Sequence, residues 1–460
     1  MQRTQSGIEA CAEEYRNQNP RSRELYERAL KIFPAGNTRA SVFFDPFPTY
    51  MVRGEGCRAW DVDGNERIDF LNNYTSLIHG HRAPQVMAAL EQQLGRGTSF
   101  ASPTEHELQL AELIQQRVPS LERLRFTSSG TEATLMAIRT ARAFTGRDKI
   151  AKIEGGFHGA HEHVQISISP NLDQAGPEDH PVGLAEGPGI PQNVLDNVVV
   201  IPFNNPDAIE RILDPIAGSV AAIIVEPVMG AGGIIKPSVG FLDFLREYTR
   251  RHQMLLIFDE VIAFRLSLNG AQGYFGVTPD LTSLGKIIGG GLPVGGFGGR
   301  ADIMAVFESP RGGGVTHPGT FNGYPPAMVA GIATLEALTP DSFTQLEQSA
   351  SRMAATLESL FAKHRFPAQV TQIGSLFNIH ASTHPISNYR TSANYNIPLK
   401  QALHLGLLNH GFVLAPRGMG CLSTVIGQSE IDSLVQAVES VIGIIGSVTT
   451  VPTVNLVGLK

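Results

Sequence analysis

The chain has 460 residues and a formal net charge of −7, with 36 lysines and arginines against 43 acids; no dense basic block is present, so nucleic acid is not an expected partner. At 42% hydrophobic and 17% charged the composition is that of a folded globular chain, which excludes long disordered tracts. Cys11, Cys57 and Cys421 match no disulfide framework or zinc spacing, no charged cap with an apolar signal core opens the chain, and the runs at 220–225 and 441–445 fall short of the roughly 20 residues that span a bilayer, so a cytoplasmic protein without membrane contact is expected.

In chain order, residues 3–33 read as one polar amphipathic helix that stops where Pro34 and Gly36 break the period. Residues 51–71 carry short β-like runs between Gly54, Gly56 and Gly64, a hairpin pattern. Apolar strand-like runs at 124–126, 198–202, 220–225, 254–258 and 281–284 then alternate with helical periodicity, at 131–144 and 239–251 among others. Such alternation predicts a mostly parallel sheet covered on both faces, with ligands at the carboxyl ends of the strands. Residues 168–196, polar and rich in Pro, Gly and Asp, are too long for a plain connection and are read as a lid. Helix (342–364), strand (369–379), helix (398–410), strand and helix (429–445) predict a carboxyl-terminal α/β domain, with a loosely held tail from Val448. The expected organisation is an arm and small-domain hairpin over 1–80, a large domain over 81–338 and a small α/β domain over 339–460.

Three strings carry chemistry. Thr127-Ser128-Ser129-Gly130-Thr131-Glu132-Ala133 follows a strand and opens a helix; small residues at a helix amino end let N–H groups reach an anion, which makes Ser129, Gly130 and Thr131 a candidate phosphate cup, although an ordinary cap reads the same way. Ile257-Phe258-Asp259-Glu260-Val261 is an apolar strand ending in two acids. A carboxylate there can pair with a protonated pyridine nitrogen, and Asp259 is the candidate. Leu284-Gly285-Lys286-Ile287, followed by Gly289 to Gly291, places an amine beside apolar surface, where it loses its proton more readily; Lys286 is the candidate Schiff-base anchor.

With these strings in place the sequence resembles, over roughly residues 15–445, the class III (subgroup II) aminotransferases of fold type I, which include glutamate-1-semialdehyde aminomutase. The resemblance rests on Gly130-Thr131-Glu132-Ala133, Phe157-His158-Gly159, Glu226-Pro227, Asp259-Glu260-Val261 and Lys286, in the family's order. It implies an α/β architecture with a mostly parallel seven-stranded sheet and a small α/β domain built from the amino- and carboxyl-terminal segments. It also implies pyridoxal 5′-phosphate as cofactor, with Phe157, His158, Glu226 and Val261 beside it. In the segment His317-Pro-Gly-Thr320-Phe-Asn-Gly323, family members reach across a homodimer interface, so Thr320 inherits contact with the neighbour's phosphate and active sites are shared. Phe157 replaces the more usual tyrosine, Tyr324 stands where Asn is common, and Met229 offers no strong donor.

The partners so implied are a small-molecule amino donor and a keto acid acceptor, interconverted in two half-reactions with Lys286 moving the proton. Substrate carboxylates call for arginines, and Arg39 and Arg417 are the candidates. The surrounding strings, at 37–48 and 415–423, are most similar to β-amino-acid (β-phenylalanine type) aminotransferases, in which the matching arginines hold carboxylates. Phe43, Phe44, Tyr74 and Ile78 are candidates for lining a side-chain pocket. The aminomutase is the alternative: the long 168–196 insertion favours it, and the absence of a glutamate from Arg417-Gly418-Met419-Gly420 counts against it. Three readings from other classes are weaker: a metal held by His158, His161, Glu162 and His163, a dinucleotide fingerprint at Gly296-Phe-Gly298-Gly-Arg-Ala301, and a non-catalytic relative that keeps the fold for binding.

Overall fold

The apolar runs become strands where the sequence places them, and two strands escape that pattern. A computed structural model describes residues 2–308 and 314–446; the tail from Val448 lies outside the described residues. In chain order the strands are β1 (Met51–Glu55), β2 (Arg58–Asp61), β3 (Glu66–Asp69), β4 (Arg123–Thr127), β5 (Lys149–Ile153), β6 (Val198–Ile201), β7 (Val220–Val225), β8 (Leu255–Asp259), β9 (Leu281–Gly285), β10 (Gly295–Gly299), β11 (Gln369–Ile373), β12 (Leu376–His380), β13 (Phe412–Val413) and β14 (Met419–Cys421). The chain divides into two compact units. One comprises residues up to 83, 345–384 and from 394 onward; the other comprises 84–344 and 385–393.

The larger unit is built on a seven-stranded sheet of order β4-β10-β9-β8-β7-β5-β6. β10 alone runs antiparallel to its neighbours β4 and β9, and the remaining pairings are parallel. Alternate residues of the central strands enter two apolar clusters. Ile153, Ile223, Val225, Leu256 and Phe258 pack with Ile209 and Leu213 of helix Pro206–Leu213 and with Phe241, Leu245 and Tyr248 of helix Phe241–Arg251. Ile150, Ala222, Ile224, Leu255 and Ile257 pack with Ala133, Met136, Ala137 and Ala141 of helix Gly130–Thr145. A strand covered on both faces needs apolar residues at every position, and all six residues of β7 are buried.

β10 is Gly-Gly-Phe-Gly-Gly, a poor strand former by composition. Close approach selects its glycines: a Cβ on Gly295 would lie 2.1 Å from the Ser129 carbonyl oxygen, and one on Gly298 2.3 Å from that of Arg123. The dinucleotide fingerprint is corrected here. Its glycines lie in a strand antiparallel to β9, so they do not form the strand-to-helix phosphate turn of a βαβ unit.

Residues 168–196 fold back on themselves. Ile166 bridges Ala185, Val182 N–H donates to Ala175 O at 2.8 Å, and the Glu186 carboxylate accepts from Ile168 N–H and Ser169 N–H at 3.1 and 3.0 Å. Arg390 ties this loop to β5: its guanidinium grips Glu154 at 2.8 and 2.9 Å and donates to the carbonyls of Ala175 and Gly176. Tyr389, next to it, is buried in the larger unit's core, which is why 385–393 groups with that unit.

In the smaller unit, β1-β2-β3-β13 form one sheet, with β13 parallel to β3, and β11-β12-β14 another. The expected single helix over 3–33 is two, Gln2–Gln18 and Pro20–Ala29, because Pro20 restarts the helix after Asn19. The expected strand over 369–379 is a hairpin of β11 and β12, turned at Gly374 with φ 52°. Helix Gln2–Gln18 packs on helices Ile397–Asn409 and Gln428–Ile445. Among the described residues no helix is long and apolar enough to cross a membrane.

Candidate active site

The carboxyl ends of β4, β5, β7, β8 and β9 carry the candidate residues of the larger unit. After β4, Thr127 Oγ1 donates to the Ser129 carbonyl at 2.9 Å and fixes the turn. Ser129 caps helix Gly130–Thr145: its Oγ accepts from Glu132 N–H at 3.2 Å, and the Glu132 carboxylate accepts from Ser128 N–H at 2.9 Å. The first-turn N–H groups of Gly130 and Thr131 have no acceptor within the helix, and the dipole adds positive potential there. Val261 closes one side: a Cβ on Gly130 would stand 3.1 Å from its side chain. Gly159, at φ 104°, lies so close that its Cβ would be 2.6 Å from Thr131 Oγ1.

Asp259 ends β8 with 4% exposure. Its Oδ2 lies 2.9 Å from His158 Nδ1, and its Oδ1 accepts from Val261 N–H at 3.1 Å. Burial pushes the His158 imidazole below its ordinary value, partly offset by Asp259, so the pair consists of a neutral ring whose Nδ1–H donates to a carboxylate. His158 Nε2 is buried without a hydrogen-bond partner among the described residues. His161 Nε2 contacts Thr134 Oγ1 at 3.3 Å instead of converging with His158. Among the described residues no cluster of His, Cys, Asp and Glu is arranged to hold a metal ion.

Glu226 follows β7 and is buried, accepting from Phe157 N–H at 3.0 Å through one oxygen and from Gly230 N–H at 3.1 Å through the other. The Phe157 ring itself is 40% exposed, available to lie against a planar group. Lys286 follows β9 at φ 51°, a left-handed conformation that costs a non-glycine residue about 1–2 kcal/mol. Strain of this kind persists where the surroundings over-determine it, often at functional positions. Lys286 is close enough to Glu226 to favour its ionised form. Thr320 is exposed in the loop before helix Pro325–Glu336.

Burial, and next the Asp259 carboxylate, push Glu226 up to about 8 from an ordinary 4.5. Between those values the folded chain keeps a proton that the unfolded chain has released, so unfolding releases it and rising pH favours unfolding. The stability of the cofactor-free protein is therefore expected to fall from about pH 4.5 to about pH 8 and to level off above, as far as Glu226 governs it. Urea titrations across that window check this. Glu226→Gln removes the contribution, and an unchanged slope in the variant would show that another group is responsible.

In the smaller unit, Arg39 Nη1 donates to Asn73 Oδ1 at 3.1 Å, and its guanidinium lies 5.5 Å from the Tyr74 ring centroid. Tyr74 Oη donates to the Ser41 carbonyl. Burial raises the Tyr74 phenol, while Arg39 and Arg417 act to lower it, so the three groups share one electrostatic neighbourhood. Arg417 is exposed in the loop between β13 and β14, whose Leu414 and Ala415 are buried. Of the residues proposed for a pocket, Ile78 is core at 1% exposure, Phe43 packs with Tyr26, and Phe44 lies between Tyr15 and His404.

Several features of these sites escape the sequence reading. Asn72, Asn73, Tyr74 and Thr75 all have φ between 49° and 76°, a left-handed turn made without glycine. It is held by Asp69, whose Oδ1 accepts from Leu71 N–H and Asn72 N–H at 2.8 Å and whose Oδ2 meets His81 Nε2 at 2.9 Å. Lys152 is wholly buried in β5, donating to the carbonyls of Ile153 and Ile166, and burial lowers it to about 8. A lysine inside an apolar strand run was the available signal. Glu260, beside Asp259, is buried by contrast as a structural acid, accepting from Ala271 N–H at 2.6 Å and Gln272 Nε2 at 2.9 Å.

Known proteins share this framework. Residues 41–442 match the family described as aminotransferase class III. Glutamate-1-semialdehyde 2,1-aminomutase 2 of Geobacillus kaustophilus is 40% identical over 426 residues, covering 91% of this chain and 97% of that protein. An omega-transaminase structure from Sphaerobacter thermophilus superposes with a TM-score of 0.89 at 43% identity, covering 92% of this chain and 97% of that one. The structure of a β-phenylalanine aminotransferase from Variovorax paradoxus gives 0.86 at 36% identity, covering 96% and 97%. The larger unit's donor set fits the cofactor common to such enzymes: a helix opening closely hemmed in by Val261, a buried carboxylate for a ring nitrogen, an orphaned buried imidazole nitrogen and a partly buried amine. The chain belongs to the class III aminotransferases, enzymes that work with pyridoxal 5′-phosphate.

Proposed function

We propose that this enzyme transfers an amino group between a β-amino acid, or a related amine or amino acid, and a keto acid by a ping-pong mechanism. Bound pyridoxal 5′-phosphate supplies the electron-withdrawing ring that lets a carbon next to nitrogen lose its proton. Ser129, Gly130 and Thr131 hold its phosphate through first-turn N–H and hydroxyl groups. Phe157 and Val261 would pack against the ring. Asp259 keeps a proton on the ring nitrogen, and His158, donating from Nδ1, orients that carboxylate. Glu226 fixes the Phe157 backbone. Lys286 would hold the cofactor covalently, and its amine would be the group that takes up and returns the proton during the exchange. Thr320 belongs to a shared site in a homodimer, reaching the neighbour's phosphate.

Arg39 and Arg417 hold substrate carboxylates, with Tyr74 beside them. The observation that carries the β-amino-acid reading is this arginine neighbourhood, formed around a short loop, 414–418, that contains no glutamate. The aminomutase reading draws on the 40% identity to the Geobacillus kaustophilus protein, and in it the 168–196 loop closes over the substrate.

A screen of α-amino acids, β-amino acids, simple amines and glutamate semialdehyde against a common acceptor separates the two readings. Turnover is expected with β-amino acids, and Arg39→Ala is expected to lower kcat/KM by about 10–100-fold, the loss of a charged hydrogen bond. Preference for simple amines would remove the arginines from the site. Isomerisation of glutamate semialdehyde without an acceptor would establish the mutase.

A further inference from the structure

Between β5 and Phe157 the chain carries a buried acid that the cofactor chemistry does not use. Glu154 follows β5 at 4% exposure, and both of its oxygens are taken by the Arg390 guanidinium, Nε to Oε2 at 2.8 Å and Nη2 to Oε1 at 2.9 Å. The same guanidinium donates to the carbonyls of Gly176 and Ala175 at 2.7 and 3.1 Å. A buried ion pair adds little stability over apolar residues of like volume. What the fork supplies is geometry, because two parallel bonds fix both the place and the direction of the carboxylate.

The neighbour of Arg390 acts on the next residue of the turn. Gly155 has φ 80°, and a Cβ there would stand 2.4 Å from Tyr389 Cβ, so the Tyr389 side chain lies directly on this backbone. Gly155 N–H donates to the Ser167 carbonyl at 2.8 Å. The segment that carries Tyr389 and Arg390 is itself fixed, since Asn204 Nδ2 donates to the Ser387 carbonyl at 2.8 Å. The turn 154–158 is therefore held at its start by Arg390 and Tyr389. At its end it is held by Glu226, which accepts from Phe157 N–H, and by the contact of His158 with Asp259. Two consecutive glycines, Gly155 and Gly156, give the chain between these ends a wide choice of conformations, so the anchor at Glu154 is what selects one.

We propose that Arg390, with Tyr389, is a positioning residue for the cofactor ring: by fixing the start of the 154–158 turn it sets where Phe157 packs and how His158 meets Asp259. The proposal rests on the cofactor-site reading above and deepens it. Neither Arg390 nor Tyr389 needs to touch the cofactor, and both act through the backbone of the turn.

The test uses pyridoxamine 5′-phosphate, which binds without a covalent link to Lys286 and so reports the ring and phosphate contacts alone. Calorimetric titration of cofactor-free Arg390→Gln is expected to give a dissociation constant about tenfold above wild type, the scale of one misplaced aromatic contact. The visible circular dichroism of the protein loaded with pyridoxal 5′-phosphate should shrink as well, while the far-ultraviolet spectrum stays unchanged. Arg390→Gln also leaves Glu154 buried without its cation, so its melting temperature should fall. The double variant Glu154→Leu with Arg390→Met removes that unpaired charge. Its melting temperature should recover, and its affinity and visible spectrum should not. If the single variant does not fold, the double variant decides. Recovery of all three properties in the double variant would make the pair purely structural and overturn the proposal, as would wild-type affinity and spectrum in Arg390→Gln. Wild-type affinity in Phe157→Leu would instead refute the packing of Phe157 on the ring, and the visible spectrum of Arg390→Gln would then still report on His158 and Asp259.

Discussion

Lys286→Ala is expected to lose the visible colour of the bound cofactor on desalting and to lower kcat by about 10⁴-fold or more, since it removes both the covalent anchor and the group that moves the proton. The backbone argues for this residue over any nearby amine. Lys286 is held at φ 51° directly after β9, with Gly285 before it in extended conformation. Alanine at that φ keeps the strain and loses the amine, so a folded but inactive protein is the outcome, and circular dichroism should be unchanged. Methylamine added to the variant should restore a small part of the proton transfer, because a free amine can replace the lost base without replacing the tether. Lys152, a wholly buried amine of the larger unit, already donates to two carbonyls and is not placed to substitute. A Lys286→Ala protein that stays coloured after desalting and turns over within about tenfold of wild type would refute the assignment.

The parts of the fold that were legible in the sequence are those where local pattern and tertiary environment ask for the same residues. β7 and β8 are continuous apolar runs because both faces of the sheet are covered, and the acids after Phe258 stand out for the same reason. β5 was hidden because Lys149 and Lys152 interrupt its apolar run; Lys152 is tolerated there only because two carbonyls, 1 and 14 residues away in sequence, receive it. β10 was hidden because glycine is selected by the approach of the Ser129 and Arg123 carbonyls, which no local pattern reveals. The candidate site divides in the same way. Asp259, Lys286 and the Ser129 cap sit at ends of patterned elements and could be read directly. The contact of His158 with Asp259 spans 101 residues, and the left-handed turn at 72–75 contains none of the glycines that usually announce one.

Asp259→Asn is expected to lower kcat by about 10²–10⁴-fold while leaving the cofactor bound, since Lys286 and the helix opening at Ser129 remain. The substitution keeps the shape and removes the charge. At 4% exposure Asp259 acts in a medium where charge interactions are stronger than in water, so the loss is larger than a surface carboxylate would give. The amide also cannot satisfy both existing donors. Asp259 accepts from His158 Nδ1–H and from Val261 N–H through different oxygens, and an asparagine must turn its NH₂ toward one of them. A cofactor analogue methylated at the ring nitrogen separates these two effects, because its positive charge is fixed and needs no carboxylate to maintain it. With the analogue, wild type and Asp259→Asn should differ by less than about tenfold. If the analogue leaves the gap undiminished, the carboxylate acts through His158 and Val261 as part of the framework and not on the ring. If Asp259→Asn retains nearly full kcat with the natural cofactor, the acid has no part in the chemistry, and the buried Glu226 becomes the next group to test.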